Sequence, residues 1–271
     1  MPVSTTPTTI VLLPVEMSQA MGNRFPEALT AVAFLAGATT RIKVLTNVLV
    51  LPYRHPVLLA KGVSTLDYLS GGRVILGIGV GHLQREFDIL GVPFSERGPM
   101  TDEYIQAMRE LWTSERPRFQ GRYVQFEDVL FEPKPLQKPH PPLWIGSQGK
   151  SRPSMRRAGN LGDGWIPNLV PPEALVECLE YIRQQPGFRE RPRPFDVIVP
   201  LERLQIEAFT HRPLGATQHF TSKDEAIEEI GRLKDVGATG VRTTLGQASS
   251  LEQFLERMHW FSEEVMPVFR C

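Results

Sequence analysis

A glycine-rich segment in the first third of the chain carries residue types suited to ligand binding and proton transfer. Its glycines alternate with apolar residues, at Gly77, Gly79 and Gly81. Glycine lets the backbone approach a ligand closely, and N–H groups there can bind phosphate. His82 and Glu86 follow; the histidine could hydrogen-bond a ring or donate a proton, and the glutamate could orient a cofactor or a basic residue. A tight turn and a solvated helix charge are the simpler interpretations, because the rest of a dinucleotide fingerprint is lacking.

Polar residues also interrupt or end two other apolar runs. Thr46 and Asn47 lie inside the run 42–51, where they either serve a site or are satisfied by neighbouring strands. His55 follows this run and could reach the rim of a site, or cap the next helix instead. Three further candidates end the run that starts at residue 143, namely Gly146, Ser147 and Gln148. Backbone N–H groups at such a position, just before a helix, suit an anion.

Composition and motifs exclude several other classes of function. Lys and Arg (30) balance Asp and Glu (30) over 271 residues, so no basic surplus points to nucleic acid. The apolar run 10–15 is too short to span a bilayer, and the N-terminus lacks the charged region of a signal peptide. We therefore expect a cytoplasmic protein with no membrane partner and with reduced cysteines. The histidines show no metal spacing and no serine nucleophile elbow is visible, so we expect neither a metal site nor hydrolysis.

Alternating helical and strand patterns position these residues. Apolar residues at helical spacing, together with proline at a first turn and glycine at a C-cap, predict helices. These helices cover residues 27–38, 56–69, 101–112, 152–161, 173–185, 223–236 and 251–266. Near-continuous apolar runs predict strands that are covered on both faces. The strands are residues 42–51, 73–79, 143–147, 162–167, 195–201 and 240–245, with residues 10–13 as a candidate seventh.

This alternation predicts an α/β fold with a parallel sheet, in a single domain over residues 1–271. Residues 113–142 break the rhythm with clustered prolines and an exposed, alternating strand at 121–126. We interpret them as an insertion on the rim of the fold. The six strands after residue 42 fit an open doubly wound sheet as well as part of a barrel.

Several segments together resemble the luciferase-like monooxygenase superfamily, in particular its coenzyme F-420-dependent oxidoreductase branch. Their order and spacing match over residues 27–168, whereas the rest of the chain matches mainly in pattern. The matching segments are residues 39–44, 49–61, 66–73, 76–81, 86–87, 90–94, 97–98 and 162–165. No single motif among them is specific, so the ordered set carries the resemblance.

The resemblance implies a TIM (β/α)8 barrel with its active site at the C-terminal ends of the strands. Relatives place one strand and helix, and then a second strand, before the helix at 27–38, and this chain has too few residues there for them. We therefore expect a barrel that lacks one or two N-terminal βα units, through a late gene start or a shortened barrel. We also expect a homodimer, which is common in the superfamily and could cover the open edge.

The resemblance also assigns roles to the candidate residues. Relatives often have a bulge or a non-proline cis peptide around Thr46, Asn47 and Val48, which presses on the back of a flavin or deazaflavin ring. Cofactor binding is implied for Thr46, Asn47, Gly77, Gly79, Gly81, Gly146, Ser147, Gln148, Gly164 and Trp165. In relatives the region of residues 146–148 binds the phosphate and ribityl chain, whereas Trp165 is more typical of a core. The catalytic candidates are His82, Glu86 and His55, although relatives commonly have an aromatic residue at His82.

With this resemblance, the sequence predicts an oxidoreductase of the luciferase-like type. It would use reduced coenzyme F-420 or FMN for hydride transfer to, or monooxygenation of, a small organic substrate. F-420 is slightly preferred because the matching segments resemble that branch. The alternative is a non-catalytic or degenerate barrel that binds a flavin or nothing.

Overall fold

Short parallel strands with helices between them build the sheet that holds the candidate residues. The computed structural model describes residues 26–201, 223–243 and 250–269. The strands are β1 (Val44–Leu45), β2 (Leu49–Val50), β3 (Val74–Gly79), β4 (Phe119–Gln120), β5 (Gln125–Phe126), β6 (Leu143–Gln148), β7 (Gly164–Asn168), β8 (Asp196–Pro200) and β9 (Gly240–Arg242). The helices are α1 (Ala28–Ala38), α2 (Pro56–Ser70), α3 (Gln84–Leu90), α4 (Arg97–Thr113), α5 (Arg152–Leu161), α6 (Pro172–Arg183), α7 (Lys223–Asp235) and α8 (Leu251–Trp260). None of the described helices has the length and apolar character needed to cross a bilayer.

The main sheet has six parallel strand positions. The order is β1 with β2, then β3, β6, β7, β8 and β9. β1 and β2 both pair with β3, so they occupy one position between them. The predicted α/β fold and its six strands after residue 42 are thereby confirmed. The candidate strand at residues 10–13 and the end of the predicted strand at 244–245 lie outside the described residues.

The two faces of the curled sheet bury separate apolar clusters. The outer face packs against the helices, and Leu76, Ile145 and Trp165 belong to its cluster. The inner cluster takes one apolar residue from each of five strands, namely Leu45, Ile75, Trp144, Ile166 and Ile198. Parallel barrels fill their centre with layers of this kind, so the sheet has the form of a half-barrel. Residues 1–25, to which the expectation of absent βα units refers, lie outside the described residues.

The predicted strand 42–51 forms two short strands rather than one, which corrects its bounds. Leu45 pairs with Ile75 and Leu49 with Ile78. The chain therefore advances four residues between these pairs on β1 and β2, but only three on β3. One extra residue of this kind is a β-bulge, and it changes which face the following side chains occupy. The apolar run concealed the bulge because its residue types suit a strand throughout.

The predicted rim insertion contains a hairpin instead of one exposed strand at 121–126. β4 and β5 pair antiparallel, with Phe119 opposite Phe126. The Glu103 carboxylate of α4 accepts three N–H groups of the connecting turn, at 2.9, 2.7 and 2.9 Å. The donors are Arg122, Tyr123 and Val124. A helix therefore holds the turn, and sequence alternation alone did not reveal it.

The connection from α2 to β3 fixes the strand that leads to the glycine-rich end. α2 ends at the left-handed Gly71, with φ 72°, as the glycine pair predicted. The Arg73 guanidinium then donates to the carbonyl oxygens of Ala36, Thr39 and Ile42 at 2.7, 2.9 and 2.8 Å. These bonds satisfy carbonyl groups at and beyond the end of α1, which have no partner within the helix. The start of β3 is thereby held to α1.

Candidate active site

The candidate site lies on the inner face of the half-barrel, at the C-terminal ends of the strands. Side chains alternate between the two faces of a strand. The residues of the inner cluster therefore show which positions of their strands face inward, and the strand pairing extends this to the neighbouring strand. The inner positions toward the C-terminal ends are Gly77, Gly79, Gly146, Gln148, Asn168, Pro200 and Arg242. Active sites of parallel barrels are found at this end of the strands.

The bulge between β1 and β2 brings one apolar side chain onto this face. The Asn47–Val48 peptide bond is cis, where the resemblance implies a bulge or a cis peptide. A Cβ atom on Gly79 would lie 2.9 Å from Val48 Cγ2, and one on Gly146 would lie 2.8 Å from Val48 Cγ1. Val48 therefore rests over two glycines of neighbouring strands. Because 40% of its surface is exposed, it presents an apolar surface to the mouth.

Close packing also accounts for Gly77 and Thr46. A Cβ atom on Gly77 would overlap the carbonyl oxygen of Thr46. The buried Thr46 hydroxyl donates to the Gly77 carbonyl at 2.8 Å. Thr46 is thus satisfied by the neighbouring strand, whereas Asn47 beside it is half-buried. The glycines make room for the bulge, and their direct contact with a cofactor stays a prediction.

Gly81 begins the rim of the mouth. Its φ of 81° lies in the region that favours glycine, and a Cβ atom there would lie 2.8 Å from the side chains of Val50 and Phe87. His82 and Glu86 follow it, and both are exposed at the rim. The structure therefore places these two catalytic candidates beside the mouth rather than inside it.

Tyr53 is a rim residue that sequence interpretation missed. Its hydroxyl donates to Glu86 Oε2, and its ring meets Phe87 edge-on at 4.9 Å between centroids. Burial, the hydrogen bond to Glu86 and the charge of Glu86 all raise the pKa of Tyr53, so its hydroxyl keeps its proton at neutral pH. Glu86 thus accepts a hydrogen bond from a phenol, and its role in orienting a cofactor or a basic residue stays a prediction. The available sequence signal was the position of Tyr53 just after the strand that contains the bulge.

His55 occupies the N-cap position of α2 and is exposed. Its side chain makes no capping hydrogen bond, nor any hydrogen bond to a described residue. Its neighbour Arg54 instead donates to Glu27, the N-cap residue of α1, at 2.6 Å. Burial raises the pKa of Glu27, but hydrogen bonds from Thr30 and Arg54 outweigh it and lower this pKa to about 2. No hydrogen bond therefore brings His55 to the other catalytic candidates.

Ser147 and Trp165 come together, but on the outer face of the sheet. The Trp165 indole N–H donates to the Ser147 hydroxyl at 2.7 Å, and both residues are buried. Trp165 belongs to the outer cluster, between the sheet and the helices. Gly164 faces inward instead, where a Cβ atom would lie 2.6 Å from Trp144 Cδ1, so it makes room for that indole.

Polar side chains end three strands on the inner face. Gln148 and Asn168 are register partners, and the Arg242 guanidinium donates to Asn168 Oδ1 at 3.0 Å. The Gly149 N–H donates to the Asn168 carbonyl at 2.7 Å. Neither Asn168 nor Arg242 was predicted as a site residue. Asn168 directly follows the predicted strand 162–167 and lies two residues after the inner residue Ile166, and this spacing was the signal that could have found it. Arg242 lies inside the predicted strand 240–245, and its inward position follows from its pairing with Pro200.

A family model matches the sequence that builds this site. The model for luciferase-like monooxygenases matches residues 10–202. The chain belongs to this family. The predicted resemblance is thereby confirmed, and the segments that carry it span the bulge, the glycine-rich strand end and β7 of this luciferase-like protein.

Relatives with curated names match part of this luciferase-like chain. An uncharacterised protein of Mycobacterium tuberculosis (strain ATCC 25618 / H37Rv) is 41% identical over 150 residues, 54% of this chain and 52% of that protein. The FMNH2-dependent dimethylsulfone monooxygenase of Pseudomonas putida is 34% identical over 160 residues, 58% of this chain and 43% of that enzyme. The F-420-dependent glucose-6-phosphate dehydrogenase of Amycolatopsis mediterranei (strain U-32) is 35% identical over 149 residues, 54% of this chain and 44% of that enzyme. The chain spans about half the length of these curated relatives.

Solved structures match over more of the luciferase-like chain. A monooxygenase from Streptomyces bottropensis has a TM-score of 0.73 and 21% identity, and the match covers 90% of this chain and 83% of that one. The F-420-dependent tetrahydromethanopterin reductase from Methanopyrus kandleri has a TM-score of 0.70 and 18% identity, covering 90% of this chain and 88% of that one. These matches show that the half-barrel has the fold of the luciferase-like barrels.

Proposed function

We propose that this chain is an oxidoreductase that uses reduced coenzyme F-420 or FMN. It would catalyse hydride transfer to, or monooxygenation of, a small organic substrate. The observation that carries the proposal is Val48, which the bulge holds over Gly79 and Gly146 at the mouth of the half-barrel. A half-exposed apolar side chain there fits the back of an aromatic ring. Relatives named for each cofactor support a ring of this class.

The residues at the mouth fit a flat ring with a polar tail. Val48 forms an apolar side, and the buried inner cluster, which includes Trp144 and Ile166, lies beneath the mouth. Gln148 ends β6, and α5 starts shortly after it at the same end of the sheet. Backbone N–H groups at a helix start suit a phosphate, so the tail would lie on this side.

The chain's contribution would be orientation, exclusion of water and proton exchange at the rim. A bound flavin or deazaflavin supplies the hydride or the reactivity with oxygen. Val48 would limit how deeply the ring enters, because the glycines beneath it leave no further space. His82 is exposed beside the mouth and would be the candidate proton donor there. Tyr53 holds Glu86 in one orientation at the same rim.

A binding titration tests this proposal. Purified protein is titrated with FMN and with F-420, and ring fluorescence is recorded. We expect saturable quenching by at least one of them, weakened about tenfold or more by Val48→Asp, because a carboxylate against the ring loses its water. Val176→Asp is the matched control, since Val176 lies on α6 and is 45% exposed. Binding of neither cofactor to the wild-type protein overturns the proposal.

Turnover with and without oxygen separates the two chemistries. Hydride transfer with F-420 would change the absorbance of the deazaflavin under nitrogen when a substrate is added. Monooxygenation with reduced FMN would instead require oxygen and consume it faster with substrate than without. Small alcohols, ketones and sulfones form a suitable first panel.

A second candidate function is flavin binding without turnover. This candidate predicts saturable binding in the titration and no substrate-dependent absorbance change or oxygen uptake in either assay.

A further inference from the structure

Two neighbouring strands end in the same left-handed conformation, at Gly149 and Leu169. Gln148 and Asn168 are register partners at the ends of β6 and β7, and the residue that follows each of them has a φ of 56°. The Gly149 N–H donates to the Asn168 carbonyl at 2.7 Å, so the two strand ends are bonded to each other. Glycine adopts this conformation freely, whereas a leucine there is a steric outlier. One strand end therefore uses the residue type that suits its backbone, and the other does not.

Leu169 turns the chain over the C-terminal edge of the sheet. In a continuing strand, Asn168 and Val170 would lie on the same face. Asn168 lies at an inner position, but Val170 belongs to the outer cluster that packs against the helices. The change of face occurs at Leu169, which is half-buried and belongs to neither apolar cluster of the described residues. Leu169 therefore lies at the crest of the turn, at the edge that forms the mouth.

Packing in the two clusters does not account for a leucine at this crest. A residue other than glycine is strained in the left-handed region, and strained residues are concentrated at active sites and ligand clamps. Gly149 shows that glycine meets the same backbone demand one strand away. Leu169 follows the register partner of Gly146 by three residues, which is roughly 10 Å along the strand. It is thus placed further out in the mouth than the glycine that Val48 covers.

We infer that Leu169 is a specificity-determining residue, whose side chain contacts an apolar, uncharged group of a molecule bound in the mouth. The inference rests on the proposed function, which places a ring at Val48. It adds a second apolar contact, on the β7 side of the mouth. The apolar group has two sources to distinguish: the ring of the cofactor and the carbon skeleton of the organic substrate.

Alanine and glycine substitutions separate the backbone of Leu169 from its side chain. Leu169→Ala and Leu169→Gly both remove the side chain, but only glycine relieves the left-handed backbone. We expect the urea midpoint of Leu169→Gly to exceed that of Leu169→Ala, which is the reverse of the order within a helix or strand. Both variants should lose the same factor in ligand affinity, about fourfold to tenfold, because each removes a leucine contact that is about half-buried.

Asp128 provides the matched control. It is the other residue besides glycine that has a positive φ in the described part of the chain, at 52°. It is exposed and follows β5 of the hairpin, which is separate from the main sheet. Asp128→Gly should likewise exceed Asp128→Ala in urea midpoint. Neither of these two variants should change the affinity for a ligand of the mouth.

Two titrations identify the group that Leu169 contacts. FMN and F-420 are titrated by ring fluorescence, and weaker binding of a ring to Leu169→Ala assigns the contact to the cofactor. Acetone, 2-pentanone and 2-heptanone are titrated by saturation-transfer NMR, with and without the cofactor. Wild-type affinity should rise about fourfold for each methylene group that becomes buried. A smaller rise in Leu169→Ala, with ring binding unchanged, assigns the contact to the substrate.

The inference is wrong if Leu169→Ala and Leu169→Gly, both folded by circular dichroism, bind the cofactors and all three ketones as Asp128→Ala does. It is also wrong if Leu169→Gly is less stable than Leu169→Ala, because the backbone is then not left-handed. Ketone binding that depends on Leu169, in a protein that binds neither ring, overturns the proposed function alone. A wild-type protein that binds neither rings nor ketones overturns both.

Discussion

The contact of Val48 with Gly146 is the single-residue feature on which the candidate site most depends. Gly146→Ala would place a methyl group 2.8 Å from Val48 Cγ1. Overpacking of this kind costs about 1–3 kcal/mol, and relief of the clash would push Val48 into the mouth. We expect lower stability in urea and weaker cofactor binding. Adding Val48→Ala should recover most of the stability, and a double-mutant cycle with purely additive effects would contradict the contact.

A buried histidine at the opposite ends of the strands makes stability depend on pH. His140 donates from Nδ1 to the Pro141 carbonyl at 2.9 Å and lies 3.9 Å from Asp163. Burial lowers the pKa of His140 below 6.5; Arg109 and Arg193 act in the same direction, and the Pro141 bond and Asp163 oppose it. As the pH falls, the unfolded chain therefore takes up this proton first. The contribution of the neutral His140 to the free energy of unfolding is therefore fully present above pH 6.5 and is lost as the pH falls below it.

Urea unfolding at several pH values checks this titration. His140→Asn keeps an N–H donor near the Pro141 carbonyl but has no group that titrates in this range. The wild-type protein should lose more unfolding free energy than this variant between about pH 7 and about pH 5. His259→Asn, at an exposed position on α8, should follow the wild type. Equal losses in the wild type and His140→Asn would count against a neutral buried imidazole.

Which candidate residues face the mouth could be predicted only in part. The run ending at residues 146–148 was identified correctly as a strand end, yet Ser147 faces the helices and Gln148 faces inward. The two residues are consecutive, and consecutive side chains of a strand point to opposite faces of the sheet. An apolar run does not reveal which of its residues face inward, because both faces of such a strand are covered. The inner cluster shows which they are, and it exists only once the strands are assembled.

Among the elements, the rim hairpin depends on one carboxylate of α4. Glu103 Oε1 accepts two N–H groups of the turn and Oε2 accepts a third. Glu103→Gln removes the charge and one acceptor, and bonds to a charged group contribute about 1.5–3 kcal/mol. We expect the amides of β4 and β5 to exchange hydrogen about tenfold faster or more, as measured by mass spectrometry.

Glu110 provides the matched control on the same helix. Its carboxylate accepts a single N–H, that of Arg118, at 3.1 Å. Glu110→Gln should therefore change exchange near residue 118 and leave the turn at residues 122–124 protected. Unchanged exchange of the turn in Glu103→Gln would mean that pairing of the two strands, rather than the carboxylate, holds the hairpin.

Element order was predictable from the sequence, and element detail was less so. α5 has its predicted bounds, and five other helices differ by up to four residues at an end, because caps and spacing are local signals. Those five are α1, α2, α4, α6 and α7. α8 ends at Trp260 rather than at residue 266, and the short α3 was not among the predicted helices. The bulge at residues 46–48 and the hairpin at 119–126 were missed as such, because each is fixed by a distant partner. For the bulge the partners are Gly79 and Gly146, and for the hairpin it is Glu103. Only the resemblance to relatives indicated the bulge.

At the scale of the whole molecule, the inner face divides into a floor and a mouth. The floor is the inner apolar cluster, which contributes to folding. The mouth combines Val48 on one side with the side chains of Gln148, Asn168 and Arg242 on the other, and its glycines make room for the bulge. Barrel enzymes commonly separate stability from function along the strands in this way.

This division predicts that a substitution in the floor lowers stability without changing cofactor affinity, whereas one in the mouth mainly lowers cofactor affinity. Ile166 belongs to the floor and is 3% exposed, so Ile166→Ala should cost about 2–5 kcal/mol of unfolding free energy. Its cofactor affinity should equal that of the wild type. Val48→Ala should instead lower cofactor affinity at a smaller cost in stability, because Val48 is already 40% exposed.

Ligand-linked unfolding measures both quantities in one experiment. A cofactor at about 100 times its Kd should add roughly 2.7 kcal/mol to the unfolding free energy of a protein that binds it. The wild type and Ile166→Ala should show this increment equally, from different starting stabilities, whereas Val48→Ala should show less at the same concentration. If Ile166→Ala lost the increment as well, the floor would be part of the binding site. The mouth would then extend below the glycines, into the layer that Trp144 and Ile166 share.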